Sequence, residues 1–154
     1  MARRAAPRLG LIVNPVAGIG GRLALKGSDD AKAVGHALAA GVAPVSGPRA
    51  LRALALVARA VPDLQVLAPA GEMGGELAAR AGIAADPLAH RPSRPTTAAD
   101  TAAAAAELAA RDVELVLFAG GDGTARDVAD AVSGRVPISV AQVAATRTEL
   151  PTGG

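Results

Sequence analysis

Apolar residues in this chain come in short runs, and each run ends in glycine, proline or a polar cluster. Leu9, Leu11, Ile12 and Val13 form the first, within Arg8–Asn14, and Asn14-Pro15 breaks it. A short, β-branched run closed by a turn pair predicts a buried strand. Leu64–Ala68 predicts a second strand, Ile83–Leu88 a weaker third, Val113–Ala119 the most strongly apolar one, and Val136–Val140 a last. Between these runs the period changes from two to that of a helix. From Pro48 to Val61, residues Leu51, Leu54, Ala55, Ala58 and Val61 recur at helical spacing, and Arg49, Arg52 and Arg59 take the other side as a solvated face. Further helices are expected over 30–40, with Ser28 or Asp29 as cap, over 76–81 ending at Gly82, over 98–111, and over 125–132 ending near Ser133-Gly134. Thr97 and Asp100 have the spacing of a capping box, with Asp in place of the usual Glu.

Strands alternating with helices predict an α/β fold with a parallel sheet. Ligands of such sheets bind outside the carboxyl ends of the strands. Glycine-rich loops follow three of the predicted strands: 15–21 after Val13, 69–75 after Ala68, and Gly120–Thr124 after Phe118. They are expected to gather at one sheet edge.

Composition narrows this picture. A chain of 154 residues is long enough for one domain with a real core. We expect that domain to cover residues 1–140, with an irregular tail over 141–154. Hydrophobic residues are 51% but aromatics only 1%, with Phe118 alone, so small side chains fill the core and each buries little area. The helix over 98–111 is nearly all alanine, with little to bury beyond Leu108, and is expected to pack closely on the sheet. The formal net charge is +2 with scattered arginines; with no aromatic platform for bases, no nucleic-acid partner is expected. The absence of cysteine excludes a disulfide scaffold, a zinc–thiolate site and a cysteine nucleophile. No run approaches the length of a membrane span, and the apolar run after Met1-Ala2-Arg3-Arg4 is too short for a signal peptide. A cytoplasmic location without membrane partners is expected, and a homo-oligomer stays open.

The chemistry concentrates in Gly120-Gly121-Asp122-Gly123-Thr124. A strand, a glycine turn and a helix in that order aim backbone N–H groups and the positive end of a helix dipole at one spot, which suits a phosphate. A carboxylate there repels phosphate unless it holds a metal ion or accepts the proton of an attacking hydroxyl. The plain alternative is a structural turn in which glycine supplies φ > 0. Asn14 either binds a ribose hydroxyl or phosphate, or only turns the chain before Pro15. Lys26, beside a glycine, and Lys32 are candidate phosphate contacts or solvated charges. His36 and His90 lack a second histidine at metal spacing, and Asp127 and Asp130 fit a helix surface. Neither a nucleophile elbow nor a Walker Gly-Lys-Ser/Thr is present.

The Gly120–Thr124 signature after an apolar strand resembles that of NAD kinases, diacylglycerol kinases and sphingosine kinases. The Asn14–Gly21 loop, Lys26–Asp29, Gly71–Gly74, Thr97–Thr101 and Phe118–Val128 resemble, in the same order, segments of bacterial ATP-NAD kinase-like proteins that include the acetoin-catabolism AcoX group. The resemblance implies a Rossmann-like three-layer parallel sheet. It also implies ATP- and Mg²⁺-dependent phosphorylation of a hydroxyl, foremost the 2′-hydroxyl of NAD to give NADP. Asp122 would be the base, with Asn14, Gly120, Gly121, Gly123 and Thr124 in the nucleotide site; no protein metal ligand is assigned. A non-catalytic nucleotide-binding remnant and a lipid-kinase relative are the alternatives. The family pairs this α/β part with a β-rich carboxyl-terminal domain across the active site. The residues after Val136-Pro137-Ile138 do not resemble the expected next motif, so half of the cleft is expected to be missing from this chain.

Overall fold

A computed structural model describes residues 4–17 and 46–141. The expected helix over 30–40, the loop beyond Ala17, Lys26, Lys32, His36 and the tail after Ala141 lie outside the described residues. Numbered over the described elements, the order is β1 (Arg8–Val13), α1 (Ser46–Ala60), β2 (Gln65–Ala68), α2 (Gly75–Arg80), β3 (Asp86–Pro87), α3 (Ala98–Ala110), β4 (Leu115–Ala119), α4 (Asp122–Val132) and β5 (Ile138–Val140). A 3₁₀ turn, Gly71–Met73, precedes α2. The strands pair in parallel in the order β3-β2-β1-β4-β5. This is the doubly wound, Rossmann-like arrangement, and its strand order reverses between β1 and β4.

The sheet has a core on each face. Leu9, Leu11 and Val13 of β1 pack with Ala50 and Leu54 of α1 and Leu77 of α2. Ile12 of the same strand joins Leu108 of α3, Val128 and Val132 of α4, and Phe118 on the opposite face. Alternate residues of an extended strand point to opposite faces, so an almost wholly apolar strand is what a sheet covered on both sides demands. Arg49, Arg52 and Arg59 are exposed on α1 as the periodicity predicts.

The alanine-rich α3 does approach closely. A Cβ placed on Gly10 would lie 2.8 Å from Leu108 Cδ1, and Leu108 is fully buried. The leucine, the one large apolar residue of the helix, fills the space left by the missing side chain of the one glycine of the strand.

Two boundaries differ from expectation. The third strand shrinks to Asp86–Pro87: Ile83 N–H is committed to the Ala78 carbonyl at the end of α2, and Leu88 N–H makes the last bond to β2, on the Ala68 carbonyl. The last helix begins at Asp122 rather than after Thr124, because the chain leaves β4 extended through Gly121, which serves as the N-cap.

The loop between β3 and α3 is held by two carboxylates. Glu107 accepts the N–H groups of Ala89 (2.6 Å) and His90 (3.0 Å). Asp100, buried at the start of α3, accepts from His90 Nε2 (2.8 Å), Ser93 Oγ (2.5 Å), Ser93 N–H (3.2 Å) and Thr97 N–H (2.9 Å). The last bond is the expected reach of Asp100 back to the cap residue. Burial would raise the Asp100 carboxyl, but these hydrogen bonds outweigh it and hold the group well below its ordinary value of 3.8. Glu107 is likewise lowered: burial opposes the charge, and the two backbone donors and Arg111 favour it.

Two predictions follow from this packing and this charge. Gly10→Val is expected to destabilise by about 1–3 kcal/mol through overpacking. Leu108→Ala alone is expected to cost about 2–5 kcal/mol, and the double variant to cost less than the sum. Chemical denaturation of all four proteins checks this, and strict additivity would refute the contact. Because Asp100 has a lower pKa folded than unfolded, its contribution is complete at neutral pH and is lost as pH falls below about 4. Asp100→Asn is expected to lose roughly 1–3 kcal/mol at pH 7 and to show a flatter decline in acid than the parent, read from melting temperatures between pH 7 and pH 3.

Candidate active site

Strands β1 and β4 end side by side, in register from Leu9↔Leu115 to Val13↔Ala119. The ladder runs one residue further, where Asn14 N–H donates to the Ala119 carbonyl at 2.9 Å. Their carboxyl ends therefore deliver Asn14 and Gly120–Thr124 to one place, the crevice where the strand order reverses. Strand β2 ends on the same edge on the other side of β1, which brings the 69–75 loop there as expected.

Asn14 ties the two loops together. Its Nδ2 donates to Thr124 Oγ1 at 3.0 Å, and its Oδ1 accepts Val16 N–H at 3.1 Å. Its carbonyl accepts the hydroxyl of Ser46, the first residue of α1, and Ala17 N–H at 3.2 Å. The amide thus turns the chain and also reaches across the switch point. One N–H of the amide group is left over from these contacts.

Thr124 is buried at the first turn of α4. A Cβ on Gly120 would stand 2.3 Å from Thr124 Oγ1 and 2.5 Å from Thr124 Cβ, so only glycine fits against the threonine. The neighbouring glycines have no such explanation. Among the described residues, a Cβ on Gly121 or Gly123 would meet nothing within 4 Å, and neither has a positive φ. The turn therefore does not need these glycines for a left-handed backbone, which removes the structural reason the sequence offered. No described residue fills the space in front of them.

Asp122 is the first residue of α4, exposed, with Gly121 as an N-cap that carries no side chain to satisfy the first amides. A carboxylate in a first helical turn interacts favourably with the helix dipole, by about 0.3–1 kcal/mol. That accounts for its tolerance beside an anion-attracting terminus. Among the described residues it makes no hydrogen bond or ion pair. No cluster of three potential metal-ligating side chains occurs among the described residues. A Mg²⁺ ion brought by nucleotide phosphates needs only one or two protein carboxylates, and Asp122 matches that donor set.

His90 does not belong to this site; it is a partner of Asp100 in the loop before α3. The sequence did not reveal that Thr124 and Asn14 act together, because they are far apart in the chain and only the β1–β4 pairing joins them. No described helix is long and apolar enough to cross a membrane.

No curated protein and no solved structure matches this chain. The family defined as the ATP-NAD kinase N-terminal domain matches residues 9–142, a span that opens in β1, closes just after β5 and contains the whole switch-point crevice. With that match covering most of its length, the chain belongs to the ATP-NAD kinase N-terminal domain family.

Proposed function

We propose that the chain carries the phosphoryl-transfer half-site of an ATP-dependent kinase acting on an alcohol, foremost the 2′-hydroxyl of the adenosine ribose of NAD. The observation that carries this reading is that no described residue fills the space before Gly121 and Gly123, at a start of α4 with no side-chain cap. Phosphoryl transfer requires that phosphate oxygens come close to backbone donors while a base stands beside the attacking hydroxyl. Side-chain-free positions at a helix N-terminus supply the first requirement, and Asp122 supplies the second.

In this reading the Asp122 carboxylate accepts the proton of the acceptor hydroxyl as its oxygen forms the new bond to the γ-phosphorus. The P–O bond to the departing ADP breaks in the same displacement. The first amides of α4 hold the transferring group, and the Asn14–Thr124 bond keeps the β1 and β4 loops in register. Mg²⁺, when bound with the nucleotide, supplies charge neutralisation on the phosphates.

Asp122→Asn is expected to lower NADP formation from ATP, Mg²⁺ and NAD by about 10²–10⁴-fold while changing folding stability by no more than about 1 kcal/mol. Unchanged turnover would remove Asp122 from the base role. Thermal stabilisation by ATP or NAD without any turnover would instead identify a nucleotide-binding domain. Thr124→Val, which removes the partner of Asn14, is expected to weaken nucleotide binding as well as turnover. A loss confined to turnover would argue that the bond acts on chemistry and not on the shape of the site.

A further inference from the structure

On the β2–β3 side of the same sheet edge, a cleft of about 250 Å³ opens between the Gly71–Met73 turn and the loop at 91–96. Buried Met73 is among its lining residues. Arg91 and Arg94 line it, both exposed, and neither makes a hydrogen bond or ion pair with any described residue. The Thr96 hydroxyl is similarly uncommitted among the described residues. Strand β1 separates β2 from β4, so the cleft lies on the order of 10 Å along the edge from the glycine turn, two strand spacings. One phosphate group cannot occupy both places.

The loop that presents these arginines is the one braced by Asp100 and Glu107. Two carboxylates, one of them buried, hold an exposed basic loop whose own side chains contribute little to the core. Such bracing lowers the ordering cost when the arginines close on a ligand. The planar fork of arginine matches phosphate oxygens in pairs. Glu72 lines the cleft as well. It repels a bare oxyanion, and it accepts hydrogen bonds from a ligand that carries hydroxyls beside its phosphate.

We propose that this cleft binds a sugar phosphate or the sugar-phosphate portion of a larger molecule, with the phosphate on Arg91 and Arg94 and a hydroxyl on Glu72. The proposal does not depend on the kinase reading of the glycine turn.

The test is a titration of the ¹⁵N-labelled full chain with ribose 5-phosphate and with inorganic phosphate, followed by NMR. Saturable shifts are expected at the amides of Gly71–Met73 and in the 91–96 loop, with ribose 5-phosphate binding at least about fivefold tighter than phosphate. Arg91→Ala/Arg94→Ala is expected to weaken binding at least about tenfold. Arg52→Ala/Arg59→Ala removes the same charge from the exposed face of α1 and is expected to leave binding unchanged. Arg91→Lys/Arg94→Lys, which retains charge and loses the fork, should also weaken it; this variant decides the matter if the alanine pair does not fold. Absence of shifts at these amides, or equal weakening by the two alanine pairs, would overturn the site. Phosphate binding as tightly as ribose 5-phosphate would overturn the role of Glu72. Shifts confined to 120–124 would refute this cleft and leave the kinase reading intact.

Discussion

Strand β1 is covered on both faces, and the room available on its α3 face governs the packing around it. Gly10 leaves a space that Leu108 enters to van der Waals contact. With Leu108 seated there, the small-residue face of α3 formed by Ala104 and Ala105 is buried in the same core. A helix poor in large side chains has to come close to bury anything, because attraction between packed atoms falls away with even small gaps. Closeness substitutes for bulk in a chain with a single aromatic residue.

The β1–β4 ladder fixes where β1 ends relative to β4, and so fixes the crevice. Parallel pairing carries Asn14 to the Ala119 carbonyl, and the asparagine amide then reaches Thr124. Thr124 in turn requires Gly120. Contacts run from the end of β1 to the start of α4, and no described residue enters the space before Gly121 and Gly123. Among the described residues the glycine cluster therefore divides into Gly120, required by packing, and Gly121 and Gly123, which no neighbour crowds.

A second use of polar groups stands apart from this line of contacts. Asp100 and Glu107 spend their hydrogen-bonding capacity on the loop before α3 and not on the sheet. A buried carboxylate costs desolvation, which here is offset by several donors converging on it. The outcome is a shaped basic loop on the same edge as the crevice.

Much of this was legible in the order of residues. The strand runs, the Pro48–Val61 helix, the Thr97–Asp100 cap and the strand–glycine–helix passage at 113–132 are local patterns, and period, capping and turn chemistry act over a few residues. The sequence also placed Asn14 and the Gly120–Thr124 cluster at carboxyl ends of strands, and the match over 9–142 agrees with the family they suggested. Three matters were decided only in three dimensions. The Asn14–Thr124 bond needs two strands far apart in sequence to pair. The start of α4 at Asp122 depends on how the chain leaves β4. The reason for each glycine depends on what faces it: Leu108 above Gly10, Thr124 against Gly120, and no described residue before Gly121 and Gly123. A sequence records that a side chain is absent; only the tertiary structure shows what occupies the space it leaves.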